Sequence, residues 1–264
     1  MNFDVDGRQV FVYTAAHALD PAKPTVVFVH GAGLDHSVFG LQSRYFGYHG
    51  RNVLAVDLPA HGRSDGPPLA VVPEMANWVM RLLDAAKLEK ASVVGHSMGS
   101  LVALECAARH PQRVERIALL AAAYPMTVSE AFLQAAKENR QDAHDMLTIW
   151  GHAPRAPLGG DPNPGMWMYG DTLARLSRLA PGVLYNDLKA CHEYAGGEAA
   201  AAKVKCPVLF ILGRRDHMTA PKAGVALSQL VPGATVMQLA PSGHSLMAES
   251  PDAVLDALID FFRA

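Results

Sequence analysis

The sequence has few cysteines, little net charge and no long hydrophobic run, and each shortage excludes a class of protein. Its three cysteines, Cys106, Cys191 and Cys206, match no zinc-binding spacing among the 264 residues. An odd number of cysteines cannot all pair within one chain, so free thiols in a reducing compartment are expected. The formal net charge of −2 gives no electrostatic reason to expect nucleic acid or an anionic membrane as a partner.

Hydrophobic residues make up 50% of the chain, which is enough for a packed core. Their runs are short, and none approaches the ~18 residues that a transmembrane helix needs. The first residues, MNFDVDGRQVF, carry acidic side chains and lack the apolar stretch of a secretory signal. We therefore expect a cytoplasmic protein with no membrane partner, either a monomer or a homodimer.

Short apolar runs alternate with helix-like segments through most of the chain. Helices are predicted at 74–86, 101–109 and 252–262, and strands are predicted at 10–13, 25–29, 52–56, 91–94, 116–120, 207–212 and 234–239. Strands that read as continuous apolar runs are buried on both sides. The pattern therefore favours the α/β class, with a mostly parallel sheet that helices cover on both faces.

This alternation stops between about Tyr124 and Ala202. Helices are predicted there at 129–149, 172–179 and 185–194, with a Gly- and Pro-rich stretch, GHAPRAPLGGDPNPGMWMYG, between the first two. Helices inserted between two sheet strands are expected to lie over the sheet edge as a lid. The predicted organisation is a core of residues 1–123 and 203–264 and a helical cap of residues 124–202.

The run VVGHSMGS, residues 93–100, places Ser97 between two glycines, after a predicted strand and before a predicted helix. A sharp strand-to-helix turn requires small residues two positions before and after the serine, and Gly95 and Gly99 meet that need. Such a turn presents the hydroxyl at the carboxyl end of the sheet, where open α/β sheets bind their ligands. Ser97 is therefore the predicted nucleophile.

A serine hydroxyl is a poor nucleophile unless a base takes its proton, so a histidine and an acid are needed at other strand ends. Asp216 follows the predicted strand PVLFILG, and His244 follows the predicted strand ATVMQL. The order Ser, Asp, His fits this kind of turn. His244 is the predicted general base and acid, and Asp216 is predicted to orient it. The rival position after Leu120 holds AAAY, which has no acid, and Glu249 is interpreted as a surface or helix-start residue.

A tetrahedral intermediate also needs two N–H donors held in advance for its oxyanion. The backbone N–H of Met98, directly after the predicted nucleophile, is one candidate. The loop HGAGLD, after the strand at 25–29, is expected to supply the other from Ala32, with Gly33 as the alternative. His30 is predicted to stabilise this loop without acting chemically.

Taken together, these motifs resemble the α/β-hydrolase fold superfamily over nearly the whole chain. The matching segments are HGAG at 30–33, DLPAHGRSD at 57–65, GHSMG at 95–99, GRRD at 213–216 and SGH at 242–244. The resemblance implies an eight-stranded, mostly parallel sheet with a helical cap inserted after strand six. Within the superfamily the chain is most similar to small bacterial esterases and carbon–carbon hydrolases that need neither metal nor organic cofactor. Members with an aspartate nucleophile are disfavoured because the turn carries Ser97.

The predicted activity is hydrolysis of small-molecule carboxylic esters through an acyl-enzyme. The same three residues also serve hydrolysis of a lactone, a thioester or a carbon–carbon bond, and a ligand receptor on this fold stays open as well. A carbon–carbon substrate would need polar groups for its carboxylate or enol, and the cap offers Arg155, Arg175 and Arg178. The fold alone does not choose among these functions.

Overall fold

The computed structural model describes residues 1–154 and 165–263. The strands are β1 (Asn2–Val5), β2 (Arg8–Tyr13), β3 (Thr25–Val29), β4 (Asn52–Val56), β5 (Ala91–His96), β6 (Val114–Leu120), β7 (Val208–Gly213) and β8 (Thr235–Leu239). They form one eight-stranded sheet in the order β1-β2-β4-β3-β5-β6-β7-β8. β2 pairs antiparallel with both β1 and β4, and all pairs from β4 to β8 are parallel. The predicted α/β class with a mostly parallel eight-stranded sheet is confirmed.

Helices occupy most of the connections between these strands. They are α1 (Gly40–Tyr48), α2 (Val72–Ala85), α3 (Met98–Arg109), α4 (Glu130–Lys137), α5 (Gln141–Trp150), α6 (Met168–Leu176), α7 (Val183–His192), α8 (Gly197–Ala201), α9 (Pro221–Gln229), α10 (Leu246–Glu249) and α11 (Pro251–Arg263). A 3₁₀ helix at His36–Phe39 precedes α1. Within the described ranges, none of these helices has the length and apolar character needed to cross a bilayer.

The central strands are buried on both sides, since helices cover both faces of the sheet. In β3, Val27 and Val29 belong to the apolar core that includes α2 and α3. Val26 and Phe28 belong to the opposite core, to which α1 and α11 contribute. Every β3 residue is buried, and this is why the strand reads as an uninterrupted apolar run.

Between β6 and β7 the described residues form helices α4 to α8, at the place predicted for the cap. We call residues 124–202 the inserted segment; its treatment as a separate cap domain stays a prediction. α4, α5, α6 and α7 share an apolar cluster of their own, with Phe132, Leu147, Leu176 and Leu184 buried in it.

The single helix predicted at 129–149 is wrong, because the structure has two helices there, α4 and α5. Asn139 lies between them with φ of +52°. That left-handed conformation cannot continue a right-handed helix, and asparagine adopts it more readily than most residues. Six consecutive polar residues, KENRQD at 137–142, span the break, and the prediction of a single helix did not take account of them.

Candidate active site

The turn between β5 and α3 leaves no room for a side chain at the positions two residues before and two residues after Ser97. A Cβ atom on Gly95 would lie 1.9 Å from the carbonyl oxygen of Gly99, and one on Gly99 would lie 2.1 Å from the carbonyl oxygen of Val29. Ser97 itself has φ of 52° and ψ of −116°, a strained conformation for a residue with a Cβ. The glycine pair is therefore a steric requirement of this turn.

Backbone contacts hold Ser97 in this conformation. Its N–H donates to the carbonyl oxygen of Leu120 at 2.9 Å, and its carbonyl oxygen accepts from the N–H of Ser100 at 2.8 Å. Met98 is the first residue of α3, where backbone N–H groups lack partners within the helix. The turn thus places a free amide donor directly after the serine.

Asp216 and His244 form a buried pair at the ends of β7 and β8. Asp216 Oδ2 lies 2.8 Å from His244 Nδ1. The other carboxylate oxygen accepts from the backbone N–H groups of Met218 and Thr219, both at 2.8 Å. Burial opposes ionisation, but the charge of His244 and the hydrogen bonds from His244 and Thr219 hold the pKa of Asp216 below its ordinary value. The carboxylate is therefore ionised and fixed toward the imidazole.

Two neighbours of this pair escaped sequence analysis. The hydroxyl of Thr219 donates to Asp216 Oδ2 at 2.6 Å and lies 3.1 Å from His244 Nδ1. His96 Nε2 lies 2.9 Å from the carbonyl oxygen of His244. Burial, together with the charge of His244, lowers the pKa of His96 to about 3, so its ring is neutral and its Nε2–H donates to that carbonyl. Only the position of His96 beside Ser97 in the motif GHSMG signalled a role.

Ser97 and His244 border the same cavity, which brings the three predicted residues to one place. Among the described residues, no hydrogen bond joins the Ser97 hydroxyl to His244. Catalytic hydrogen bonds often tighten only when substrate is bound.

Hydrogen bonds in the loop after β3 fix the direction of the Ala32 N–H, which points away from the residues that hold the Gly31 carbonyl. The carbonyl oxygen of Gly31 accepts from His30 Nδ1 at 2.9 Å and from the N–H of Leu34 at 3.2 Å. His30 Nε2 accepts from the N–H of Leu58, so His30 is the neutral Nδ1–H tautomer. Burial, followed by the charge of His61, lowers the pKa of His30 to about 4. Because a trans peptide points its C=O and N–H in opposite directions, fixing the Gly31 carbonyl also fixes the Ala32 N–H.

The structure separates the two candidates for the second oxyanion donor. The N–H of Gly33 donates to Asp187 Oδ2 at 2.9 Å and is already engaged. The N–H of Ala32 has no hydrogen-bond partner within the described ranges, and Ala32 borders the cavity. Ala32, the preferred candidate, is the one that is free to bind an oxyanion.

Asp187, on α7 of the inserted segment, also contacts a buried histidine. His61 Nε2 lies 2.7 Å from Asp187 Oδ2, and His61 Nδ1 lies 3.0 Å from the carbonyl oxygen of Pro59. Burial favours the neutral ring, but the charge and hydrogen bond of Asp187 outweigh it and raise the pKa of His61. Sequence analysis missed this pair, because its members are 126 residues apart.

Glu249 differs from its interpretation as a surface or helix-start residue. It closes the short helix α10, and its Oε2 accepts from the N–H of Gly243 and the N–H of Ala153, both at 3.0 Å. The carboxylate turns inward and accepts from two amides that have no other partner in the described ranges. Glu249 therefore connects the loop that carries His244 to the end of α5.

Two cavities meet at Ser97. One has a volume of about 220 Å³ and the other about 390 Å³. Ala32, Ser97 and Met218 border both of them. The smaller is further lined by His96, His244, Val38, Leu41 and Met168, and the larger by Met126, Val128, Phe132, Trp150 and Leu188.

Charge is scarce at the walls of both cavities. Of the described lining residues, Arg175 is the only lysine or arginine, and it contacts Asp171 and lies 3.6 Å from Asp35. Arg178 is exposed and bonds the carbonyl oxygen of Ala174, while Arg155 lies outside the described residues. The cavities are therefore mainly apolar, and their one described guanidinium already has carboxylate partners.

One cluster of potential metal ligands lies in the described part of the chain, formed by Asp35, His36 and Asp57. Asp57 Oδ1 accepts from the backbone N–H and from Nδ1 of His36, and Asp57 Oδ2 accepts from the N–H of Arg63. Since both carboxylate oxygens already have protein donors, we assign no cation to this cluster.

Comparison with known proteins identifies the family of the chain. The model of a family described as the alpha/beta hydrolase family matches residues 26–257. The chain belongs to the alpha/beta hydrolase family. Esterases, lactonases and other hydrolases are among the relatives and solved structures that resemble this alpha/beta hydrolase.

Three of these similarities extend over most of the chain. A pimeloyl-(acyl-carrier protein) methyl ester esterase of Chromobacterium violaceum is 30% identical over 247 residues, covering 84% of this alpha/beta hydrolase and 87% of the relative. An (E)-2-((N-methylformamido)methylene)succinate hydrolase of Acinetobacter baylyi is 23% identical, covering 88% of each chain. The crystal structure of an enol-lactonase from Burkholderia xenovorans superposes with a TM-score of 0.86 at 22% identity, covering 100% of both chains.

Proposed function

We propose that this alpha/beta hydrolase cleaves small-molecule carboxylic esters, with Ser97 as nucleophile, His244 as base and Asp216 as the residue that orients His244. The observation that carries the proposal is the buried contact of 2.8 Å between Asp216 and His244 at the cavity that Ser97 borders. A glycine-flanked serine, a histidine held by a carboxylate and free amides beside them are the parts that acyl transfer requires.

The proposed reaction has two steps. Ser97 Oγ attacks the ester carbonyl while His244 Nε2 takes the hydroxyl proton, and the amides of Ala32 and Met98 bind the resulting oxyanion. His244 then gives the proton to the departing alcohol, and the acyl group stays on Ser97. Water then loses a proton to His244 and attacks the acyl carbonyl, which releases the acid and restores the serine.

The cavities favour a substrate that is uncharged near the scissile bond. Apolar side chains line both sides of Ser97, so apolar groups on the acyl and the alcohol side can be buried together. A carbon–carbon substrate of the kind considered above needs a polar group for its carboxylate. The one described guanidinium in the walls, Arg175, contacts Asp171 and lies near Asp35 instead. These contacts support an ester over such an anion.

Steady-state hydrolysis of p-nitrophenyl esters of increasing acyl length tests the proposal, with Ser97→Ala as the control. We expect turnover by the wild type and a loss of roughly 10⁴- to 10⁶-fold in kcat for Ser97→Ala, since the nucleophile is gone. The thermal unfolding midpoint should change little, since one buried hydroxyl is lost.

A Ser97→Ala variant that still hydrolyses the esters at the wild-type rate would contradict the assignment of the nucleophile. Wild-type protein that turns over no ester in the series would contradict ester hydrolysis itself. Parallel assays with a lactone, a thioester and a vinylogous 1,5-diketone then identify whether the same residues act on another acyl group. Binding of one of these compounds without turnover would instead indicate a receptor.

A further inference from the structure

We propose that Asp187 is a positioning residue, which holds the amide of Ala32 in place for the oxyanion from within the inserted segment. The inference rests on the proposed function, because it assigns the oxyanion to that amide. Asp187 lies on α7, a helix on which sequence analysis named no candidate residue. It is fully buried and touches the loop after β3 directly.

The loop is held on both sides of Ala32. On one side, His30 and Leu34 donate to the carbonyl oxygen of Gly31. On the other side, the N–H of Gly33 donates to Asp187 Oδ2 at 2.9 Å. The peptides before and after Ala32 are therefore both fixed, and the direction of the Ala32 N–H follows from them.

Removing the Asp187 carboxylate leaves only one of these two supports. The N–H of the peptide between Ala32 and Gly33 then has no acceptor among the described residues. The contacts of the Gly31 carbonyl alone aim the Ala32 amide, so its direction is held less tightly. Oxyanion donors act because they are aimed in advance at the developing charge. A displacement on the order of 1 Å is enough to lower a rate about 10²-fold.

Apolar contacts show that the inserted segment packs against the same point of the loop. A Cβ atom on Gly33 would lie 2.9 Å from Cδ1 of Leu184 and 3.1 Å from Cδ2 of Leu176. Gly33 also has φ of +67°, which favours glycine. The loop is therefore shaped to receive α6 and α7, and the Asp187 carboxylate is the polar part of that contact.

The partner of Asp187 explains why a carboxylate is tolerated in this buried place. Both ring nitrogens of His61 face acceptors, which are Asp187 Oδ2 and the carbonyl oxygen of Pro59. Only the doubly protonated imidazolium donates from both nitrogens. The resulting positive charge balances the carboxylate, and a charged acceptor makes a stronger hydrogen bond to the Gly33 amide than a neutral one.

The experiment compares four variants of the full-length chain. Asp187→Ala removes the acceptor, and Asp187→Leu removes it without leaving a cavity, should the alanine variant not fold. Asp187→Asn keeps an oxygen that can accept from Gly33. Tyr194→Phe is the matched control, because the Tyr194 hydroxyl bonds Glu105 at 2.6 Å and connects the inserted segment to α3 away from the loop.

Four quantities are measured for each variant. These are kcat and KM for the best p-nitrophenyl ester, the inhibition constant of a trifluoromethyl ketone, whose tetrahedral adduct places an oxyanion on the amides, and deuterium exchange of the Gly33 amide. For Asp187→Ala or Asp187→Leu we expect kcat to fall roughly 10- to 100-fold, with KM changed less than about threefold. The ketone should bind more weakly by a similar factor, and the Gly33 amide should exchange faster.

Asp187→Asn is expected to retain kcat within about threefold, and Tyr194→Phe is expected to match the wild type in all four quantities. Acceptor-free variants with wild-type kcat and ketone affinity would overturn the positioning role. An asparagine variant as slow as the alanine variant would overturn the hydrogen bond as its cause.

The exchange measurement separates this inference from the proposed function. If the wild type hydrolyses no ester, the proposed function fails, whereas faster Gly33 exchange in Asp187→Leu but not in Tyr194→Phe would still support Asp187 as the support of the loop. Unchanged exchange in the acceptor-free variant would overturn the support, whatever the activity of the wild type.

Discussion

The turn that carries Ser97 and the inserted segment reach the same cavity by different physical means. Around Ser97 the backbone is so crowded that a single Cβ atom on Gly95 or Gly99 would overlap a carbonyl oxygen. The inserted segment meets the loops that carry Ala32 and His244 largely through side chains, as in the contacts of Asp187 with Gly33 and of Glu249 with Ala153. Crowding dictates residue types and so leaves a motif, whereas a carboxylate bonded to a backbone amide places no demand on the partner's side chain.

The largest effect should come from the strand ends, through Asp216→Asn. The asparagine keeps an oxygen for the amides of Met218 and Thr219 but cannot stabilise the imidazolium of His244. We expect kcat for ester hydrolysis to fall about 10⁴-fold, with a small change in unfolding midpoint. A fall of less than about tenfold would mean that another acid orients His244, and Glu249 would be the first to test.

Gly99→Ala tests whether steric crowding is the reason that the turn at Ser97 requires glycine. The new Cβ would lie 2.1 Å from the carbonyl oxygen of Val29 and 2.7 Å from that of His30, so the backbone must shift. We expect the free energy of unfolding to fall by roughly 3 kcal/mol or more in urea denaturation.

Gly40→Ala is the matched control for that experiment. Gly40 has φ of −52°, and a Cβ there would meet nothing within 4 Å, so its stability should change by less than about 1 kcal/mol. If Gly99→Ala and Gly40→Ala lowered the free energy of unfolding equally, steric crowding would not explain why the turn at Ser97 has glycines.

The contact of the inserted segment with the loop should depend on pH, and this is the smallest of the expected effects. The pKa of His61 is raised above its ordinary 6.5, so its contribution to stability is complete below pH 6.5 and is lost as pH rises through the folded value. Burial opposes ionisation of Asp187, but the charge of His61 and its hydrogen bonds lower its pKa below 3.8, so its contribution is lost only as pH falls through that lower value. Both contributions are therefore complete between about pH 4 and 6.5.

We expect the difference in unfolding free energy between the wild type and Asp187→Asn to be largest in that window. It should shrink, by on the order of 1 kcal/mol, as pH rises to 8. Urea denaturation at several pH values measures it, with Gly40→Ala as a variant whose difference from the wild type stays constant. A pH-independent difference for Asp187→Asn would show that the His61–Asp187 pair does not change its charge over this range.

Much of the sheet could be predicted, because strands buried on both faces leave apolar runs that stand out in the sequence. The exception is β1, whose sequence NFDV is mostly exposed at the sheet edge and was implied only by the resemblance. The positions of Ser97, Asp216 and His244 followed from their places after such strands, and their roles stay predictions for the experiments above. Thr219 and Asp187 were not predicted, because the contacts of Thr219 with His244 and of Asp187 with Gly33 join distant parts of the chain. His96 was signalled only by its place beside Ser97, and its contact with His244 spans 148 residues.

The sequence by itself determined the fold class and the place of the predicted nucleophile, because burial of the strands on both faces and steric crowding at the turn restrict which residues can stand at each position. Only the tertiary structure decided between Ala32 and Gly33 as the free amide. It showed that a carboxylate 154 residues away occupies the N–H of Gly33, and it brought the walls of two cavities together at Ser97. Those outcomes depend on which groups meet in space. Every residue except proline has a backbone N–H, so the identity of a residue does not indicate which acceptor its N–H will bind.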